Sequence, residues 1–430
     1  MTKASKTIGL LHHVGGGNLG DDATLEAVVC NIRQRWPNAE IVAFSMNPED
    51  TEKRHGIHSG RVRRTGWITG YRHAESETAF KARVKAFGRK YRPLFYLLKA
   101  TRAAVRLPNE AFRELCFLVP SRRIVKSLDL LIVCGGGQLT ERDGPWGFPY
   151  TIFKWVALAR SAGVRSIFLN VGAGPLTQPL SKYFARRALA TADYVSLRDE
   201  KSRDLLNRVG FRGKSSVYCD SAYSLELTTV LDRRPPEARS RPIVGFAPMP
   251  YPEPPIYPVE RHQAIYDAFI GKLADFASSL IGQSRALSLF GTDIGVDPGA
   301  IADLQTALLN NHGIHPSQYS VSPIKSVHDL LAAMSEVDFF VTCRFHGVIF
   351  AHLLNKPVLA IAYHPKVSDL MAELGLSEFC IDIREFDLNL LTDRFASMVG
   401  NAEEIKHRMA ASLARNRQQL RNQFDDLFRR

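Results

Sequence analysis

Val337-Asp338-Phe339-Phe340-Val341-Thr342-Cys343-Arg344-Phe345-His346-Gly347 runs directly into Val348-Ile349-Phe350-Ala351-His352-Leu353-Leu354. An apolar strand, a polar turn and a helical pattern follow one another, which is how a βα unit reads. The turn sets Arg344 and His346 two residues apart, a fixed cation beside a side chain that titrates near neutral pH. Such a pair suits an anionic substrate and a proton transfer. It equally suits a helix-capping turn with two solvated polar residues, and the rest of the chain decides between them.

The same rhythm recurs on both sides. Thr7-Ile8-Gly9-Leu10-Leu11 is a buried-strand run before a glycine-rich turn and a helix expected from about Asp22 to Trp36. Apolar runs at 41–44, 128–133, 166–171 and 194–197 continue the first unit; those at 243–246, 286–290 and 357–361 belong to a second. Continuous apolar strands between helices predict an α/β chain of parallel sheets covered on both faces. With 430 residues, two cores are the default. The expected order is an N-terminal domain at 1–232, a Pro-rich charged linker at 233–242, a C-terminal domain at 243–400 and a charged helix at 401–430. Two such domains place a cleft at the carboxyl ends of their strands.

Between about 61 and 126 the alternation stops. Arg83, Lys85, Arg89, Lys90, Arg92, Lys99, Arg102 and Arg106 are interleaved with Phe80, Phe87, Tyr91, Phe95 and Tyr96. This reads as a basic helical insertion of one or two amphipathic helices, bent or broken at Pro93. It either packs on its own domain or attaches to an anionic membrane surface.

The net charge of +13 calls for an anionic partner. Zinc-finger and RNA-recognition patterns are missing from the sequence, so nucleic acid is not the expected one. The six cysteines are scattered without a C-x-x-C pair, which argues against a disulfide framework or structural zinc. No apolar run approaches the roughly 20 residues of a transmembrane helix. The N-terminal apolar run is too short for a signal core, so a cytoplasmic protein is expected.

Four turns sit where strand ends of such folds gather ligands. Gly15-Gly16-Gly17-Asn18-Leu19-Gly20-Asp21-Asp22 formally matches a dinucleotide-binding pattern. Asp21 and Asp22 would repel a pyrophosphate at the helix start, however, and no acidic residue closes the second strand. These aspartates cap a helix, accept a proton from a substrate hydroxyl, or both; Asp21 is the better placed. Cys134-Gly135-Gly136-Gly137-Gln138 and Val171-Gly172-Ala173-Gly174-Pro175 allow close backbone approach to an oxyanion or a sugar. Ser196-Leu197-Arg198-Asp199 delivers an arginine to a helix start, where it either pairs with its acidic neighbours or joins Arg344 on one anion.

In this order, these turns resemble the polysaccharide pyruvyl transferase family. The matching elements are Gly17-Asn18-Leu19-Gly20-Asp21, Gly135-Gly136-Gly137, Gly172-Ala173-Gly174-Pro175, Arg198-Asp199 with Ser202, Asp220-Ser221-Ala222, Arg344-Phe345-His346 and Tyr363-His364-Pro365-Lys366. The resemblance implies two Rossmann-like domains in a GT-B-like arrangement and transfer of the pyruvyl unit of phosphoenolpyruvate onto a sugar diol of a cell-surface polysaccharide precursor, forming a ketal. It implies Arg344, Arg198, Gly172, Gly174 and Lys366 on the donor, His346 and Asp21 in acid–base roles, and Asn18, Gly135, Gly136 and Gly137 as an acceptor or backbone cradle. Asp220-Ser221-Ala222 departs from the more usual Asp-Pro-Ala. No cofactor or metal is expected, phosphoenolpyruvate being the donor substrate and a lipid-linked oligosaccharide the acceptor. Two other readings stand beside this one. One is a glycosyltransferase using a nucleotide sugar, with Glu373 as a weak ribose-binding candidate; the other is a non-catalytic scaffold of the same pathway.

Overall fold

The computed structural model describes residues 6–64, 92–141, 143–227, 241–251, 262–385 and 387–428, and within these only the backbone of 92–107 and 262. Seven strands build the first sheet: β1 (Thr7–Leu11), β2 (Glu40–Ser45), β3 (His58–Arg61), β4 (Leu130–Cys134), β5 (Arg165–Val171), β6 (Tyr194–Leu197) and β7 (Ser216–Val217). Their order is β3-β2-β1-β4-β5-β6-β7, with every pairing parallel. The second sheet holds β8 (Ile243–Ala247), β9 (Ala286–Leu289), β10 (Ser320–Val321), β11 (Phe339–Thr342), β12 (Val358–Ala362) and β13 (Cys380–Asp382). It repeats the pattern, β10-β9-β8-β11-β12-β13, again all parallel.

Helices on both faces explain why β4 (Leu-Leu-Ile-Val-Cys) and β12 (Val-Leu-Ala-Ile-Ala) are buried at every position and apolar throughout. In each sheet the strand order reverses beside the first strand, between β1 and β4 and between β8 and β11. A crevice opens there, at the carboxyl ends.

Most strands fall within a residue or two of the expected runs. The edge strands β3, β7, β10 and β13 were not foreseen, because two- to four-residue segments such as His-Ser-Gly-Arg carry no apolar run. The first helix spans Leu19–Arg35 rather than starting at Asp22, since Asn18 is its N-cap and accepts from the Gly20 N–H. Within the basic insertion, one helix runs Arg92–Lys126 straight through Pro93, Pro108 and Pro120. Pro93 lies in its first turn, where the missing N–H costs nothing. The aromatic residues 80, 87 and 91, and nearly all of the linker at 233–242, lie outside the described residues.

The C-terminal helix Ala402–Phe428 carries charges outward and a buried stripe inward: Ile405, Met409, Leu420, Phe424 and Phe428. It returns across the domain boundary. Arg35 pairs with Asp425 at 2.7 Å, Trp36 meets Phe428 edge to face, and Gln423 donates to Asn170 at the end of β5. Near its other end, His352 of the second domain bonds the Met409 carbonyl and Ser412. Burying each of the two phenylalanines stabilises by about 1.5–3 kcal/mol, so this helix straps the two domains together. Among the described residues, no helix is long and apolar enough to cross a membrane.

Candidate active site

The glycine-rich turn after β1 crosses to the second domain. Leu19 N–H donates to the Thr292 carbonyl at 3.1 Å and Ile294 N–H to the Gly17 carbonyl at 2.9 Å. This backbone clasp brings the carboxyl ends of β1, β4, β5 and β6 opposite the turns that follow β9, β11 and β12.

His346 is the second residue of the Phe345–Leu353 helix and is buried. Its ring lies on Gly20 of the other domain so closely that a Cβ there would be 2.0 Å from His346 Cγ. Its Nε2 is 3.8 Å from Asp220 Oδ2. Asp220 follows β7 and caps a short turn, its Oδ1 accepting from Ala222 N–H (3.0 Å) and the Thr24 hydroxyl (3.2 Å). Oδ2 and His346 Nε2 are both buried without a hydrogen-bond partner. Burial raises the Asp220 carboxyl, but His346 and Arg198 more than offset that and hold it at about 2. Asp220 therefore stays ionised beside the histidine.

Arg198 follows β6. One edge of its guanidinium lies over Gly172, where a Cβ would stand 2.7 Å from its terminal nitrogen, and another approaches Asp220 Oδ2 at 3.6 Å. Its face stacks on the Phe345 ring at 4.5 Å. Lys366, in the first turn of the Pro365–Glu373 helix that follows β12, reaches the same ring at 6.0 Å and that of Tyr363 at 5.2 Å. Phe345 is thus a shared platform for one cation from each domain. The Phe345–Leu353 helix starts there without a side-chain cap, so its positive end adds to the field. Arg198 also donates from Nε to its neighbour Asp199 at 3.4 Å, so two cations and an uncapped helix start meet at one ring with carboxylates already beside the arginine.

Arg344 is built differently. It donates to Asp297 Oδ1 at 2.5 Å and stands 3.9 Å from Asp293 Oδ2. Asp297 is fully buried and also accepts from the Thr292 and Asp293 N–H groups. The charge of Arg344 is thereby balanced within its own domain, while its Nε is buried without a partner. Asp293 is the strained member: burial first, then Asp297, raise its carboxyl to about 6 against the pull of Arg344.

On the first domain, His13 Nε2 meets Asp21 Oδ2 at 2.9 Å. Burial opposes ionisation of Asp21, yet His13, then His346 and His12, hold its carboxyl well below the usual carboxylate range. His13 stacks on His12 at 4.9 Å and has Phe148 edge-on at 5.9 Å. Its ring fills the space over Gly136, which adopts φ +65°.

The remaining expected residues fall into place around these pairs. Asn18 is a helix cap, and the Thr24 and Thr140 side chains occupy the spaces beside Gly135 and Gly174. At Gly137 nothing lies within 4 Å of a would-be Cβ. The glycines at 20, 136 and 172 therefore seat the His346, His13 and Arg198 side chains. Sequence reasoning named Asp220 without a role and missed His13, Asp293 and Asp297. A histidine two residues past a buried strand, and the Gly291-Thr292-Asp293 turn after β9, were the signals available. Among the described residues, no three His, Cys, Asp or Glu side chains converge as a metal ion would require.

A family model described as polysaccharide pyruvyl transferase matches residues 18–365. Among solved structures, Anabaena Alr3699/HepE in complex with UDP is similar with a TM-score of 0.53 at 12% identity, covering 98% of this chain and 100% of that one. The S. aureus MnaA–UDP co-structure gives 0.52 at 13% identity over 94% and 90% of the two chains. UDP-GlcNAc 2-epimerase from Neisseria meningitidis bound to UDP-GlcNAc gives 0.52 at 10% over 94% of each. At these identities the likeness is one of fold, that of GT-B glycosyltransferases and epimerases.

Proposed function

The chain belongs to the polysaccharide pyruvyl transferase family, and from that membership we propose that it transfers the pyruvyl group of phosphoenolpyruvate to a sugar diol of a cell-surface polysaccharide precursor. One observation carries the reading: Arg198 and Lys366, brought from separate domains onto the Phe345 ring, stand beside the His346–Asp220 pair. Phosphoenolpyruvate carries a carboxylate and a phosphate, and so needs at least two fixed positive charges. Arg198 and Lys366 supply them, the open end of the Phe345–Leu353 helix faces the phosphate, and Arg344 offers its unpartnered Nε. Gly172 and Gly174 shape the donor side by letting Arg198 and Thr140 pack close.

His346, kept beside an ionised Asp220, donates a proton to the terminal enol carbon. Positive charge develops at the adjacent carbon, one sugar hydroxyl attacks there, phosphate leaves, and a second hydroxyl closes the ketal. Acid–base assistance of this kind is worth about 10²–10⁴-fold. Proton removal from the sugar falls to the Asp21 side of the cleft, with the open space at Gly137 as the acceptor's approach.

The acceptor is a lipid-linked oligosaccharide, met at the inner face of the cytoplasmic membrane. Phe112, Leu115 and Val119 are exposed on one side of the Arg92–Lys126 helix, and Arg113, Arg122, Arg123 and Lys126 on the same helix are basic. Each basic residue near an anionic surface contributes about 1 kcal/mol. Flotation with anionic but not neutral vesicles is the expected result; equal recovery with both would remove the membrane from the account.

A nucleotide-sugar donor is the second reading. Its support is Glu373, whose half-buried carboxyl is raised by burial and by Asp199 and Asp369 while lying close enough to Arg198 to feel its charge. Thermal-shift titration separates the two. Stabilisation by phosphoenolpyruvate but not by uridine or guanosine nucleotide sugars supports the first; the reverse supports the second.

A further inference from the structure

Making a ketal from an enol phosphate needs a proton delivered to carbon and another withdrawn from a hydroxyl. The cleft holds two histidine–carboxylate pairs, one from each side. His346 with Asp220 lies at the donor; His13 with Asp21 lies on the first domain, at the point where the order of its sheet reverses.

We propose that His13 is the catalytic base that takes the proton from the attacking sugar hydroxyl, with Asp21 the positioning carboxylate that fixes its tautomer. This rests on the pyruvyl-transfer reading. The geometry carries it. An ionised carboxylate only accepts, so the 2.9 Å contact places a hydrogen on His13 Nε2, and in the neutral imidazole that leaves the lone pair on Nδ1. Nδ1 is buried without a hydrogen-bond partner. The ring is held between His12 and the edge of Phe148 and lies against Gly136, next to the open space at Gly137. His12 accepts from Val14 N–H through its own Nδ1 and is kept neutral by burial first and by His13 second, at about 3. Asp21 is itself a weak base, because its carboxyl is held below the usual range by the histidines around it.

The hydroxyl O–H bond breaks, its proton goes to His13 Nδ1, and its oxygen bonds the central carbon of phosphoenolpyruvate. The C=C electron pair takes the proton of His346. The bond from the central carbon to the phosphate oxygen then breaks with its electrons on phosphate, which carries off the proton of the second hydroxyl as the ring closes.

Two measurements test this. In protein labelled with [15N]histidine, the His13 signal, assigned by its loss in His13→Gln, should show a bare Nδ1 and a protonated Nε2 at neutral pH. Asp21→Asn should turn it into a mixture of tautomers. A protonated Nδ1 in the wild type overturns the proposal, with or without an active preparation. In the second measurement, phosphate release from phosphoenolpyruvate is followed with a panel of lipid-linked sugar diols. Gln at position 13 can keep the bond to Asp21 through its amide while lacking a base, so kcat should fall on the order of 10²–10⁴-fold with the KM for phosphoenolpyruvate nearly unchanged. His13→Asn, checked by its melting temperature, should lose turnover likewise. Near-wild-type turnover in folded His13→Gln overturns the proposal and leaves the pyruvyl-transfer reading standing. If the wild type turns over with no diol, that reading fails and the role of His13 falls with it.

Discussion

Replacing Gly20 with alanine adds one methyl group at the contact between the domains. The new Cβ would lie 2.0 Å from both Cγ and Nδ1 of His346 and 2.4 Å from its Cβ. Rotating the imidazole clears the ring atoms but not the Cβ, which moves only with the backbone of the Phe345–Leu353 helix. Ordinary contact needs about 3.5 Å, so that helix must retreat from the first helix by about an ångström. Overpacking of this size costs about 1–3 kcal/mol. Gly20 lies in the first turn of a helix, where alanine returns roughly 0.5–1 kcal/mol. A net loss of no more than about 2.5 kcal/mol is expected. A misplacement of 1 Å at the reacting group costs on the order of 10²-fold in rate. Denaturant unfolding and phosphate release from phosphoenolpyruvate, measured on the same preparation, should therefore diverge: a modest fall in stability with a collapse in kcat. Wild-type turnover in the folded variant would show that the seating of His346 on Gly20 has no bearing on chemistry.

Other consequences are equally direct. Arg198→Ala removes a charged donor from the proposed anion site, worth about 1.5–3 kcal/mol, so calorimetry should find phosphoenolpyruvate bound roughly ten- to hundredfold more weakly; unchanged affinity would move the donor elsewhere. Asp220→Asn takes the negative charge from beside His346 Nε2, so turnover should fall sharply while donor affinity stays within a few-fold, as kcat and Kd measured separately will tell. His55 gives a pH dependence. Burial alone would lower it, but the carboxylates of Asp22 and Glu26, each 3.4 Å from one of its ring nitrogens, override that and hold it at about 9. A histidine with a raised folded value contributes fully below its unfolded value of about 6.5 and loses the contribution as pH rises through about 9. Melting temperature should fall across that window, and His55→Gln should flatten the slope; parallel slopes would contradict the assignment.

The architecture was legible because burial on both faces of a parallel sheet forces long apolar runs, and every central strand carried one. Edge strands were not, since β7 and β10 borrow their order from neighbours rather than from their own two residues. The turn residues were legible as a set, and the structure gathers Arg198, His346, Lys366 and Asp21 around one cleft. Their pairings were not. Which carboxylate faces which cation depends on how two domains meet, and no local spacing encodes that. Arg344 illustrates the point: in the sequence it stands next to Phe345 and His346 as a free cation, whereas Asp297, 47 residues away, claims its guanidinium. The glycines illustrate it again. A glycine after a strand signals close approach, but only the assembled fold tells that His346, His13 and Arg198 are what approaches Gly20, Gly136 and Gly172.

The central claim concerns the donor, and one assay addresses it directly. Purified protein is incubated with phosphoenolpyruvate and a panel of lipid-linked sugar diols, free phosphate is quantified, and the lipid-linked product is examined by mass spectrometry. The account predicts phosphate release that depends on both substrates, matched by a pyruvate ketal on the sugar, and abolished in His346→Ala. Release of a nucleoside diphosphate from a nucleotide sugar, with phosphoenolpyruvate left intact by every acceptor, would contradict it.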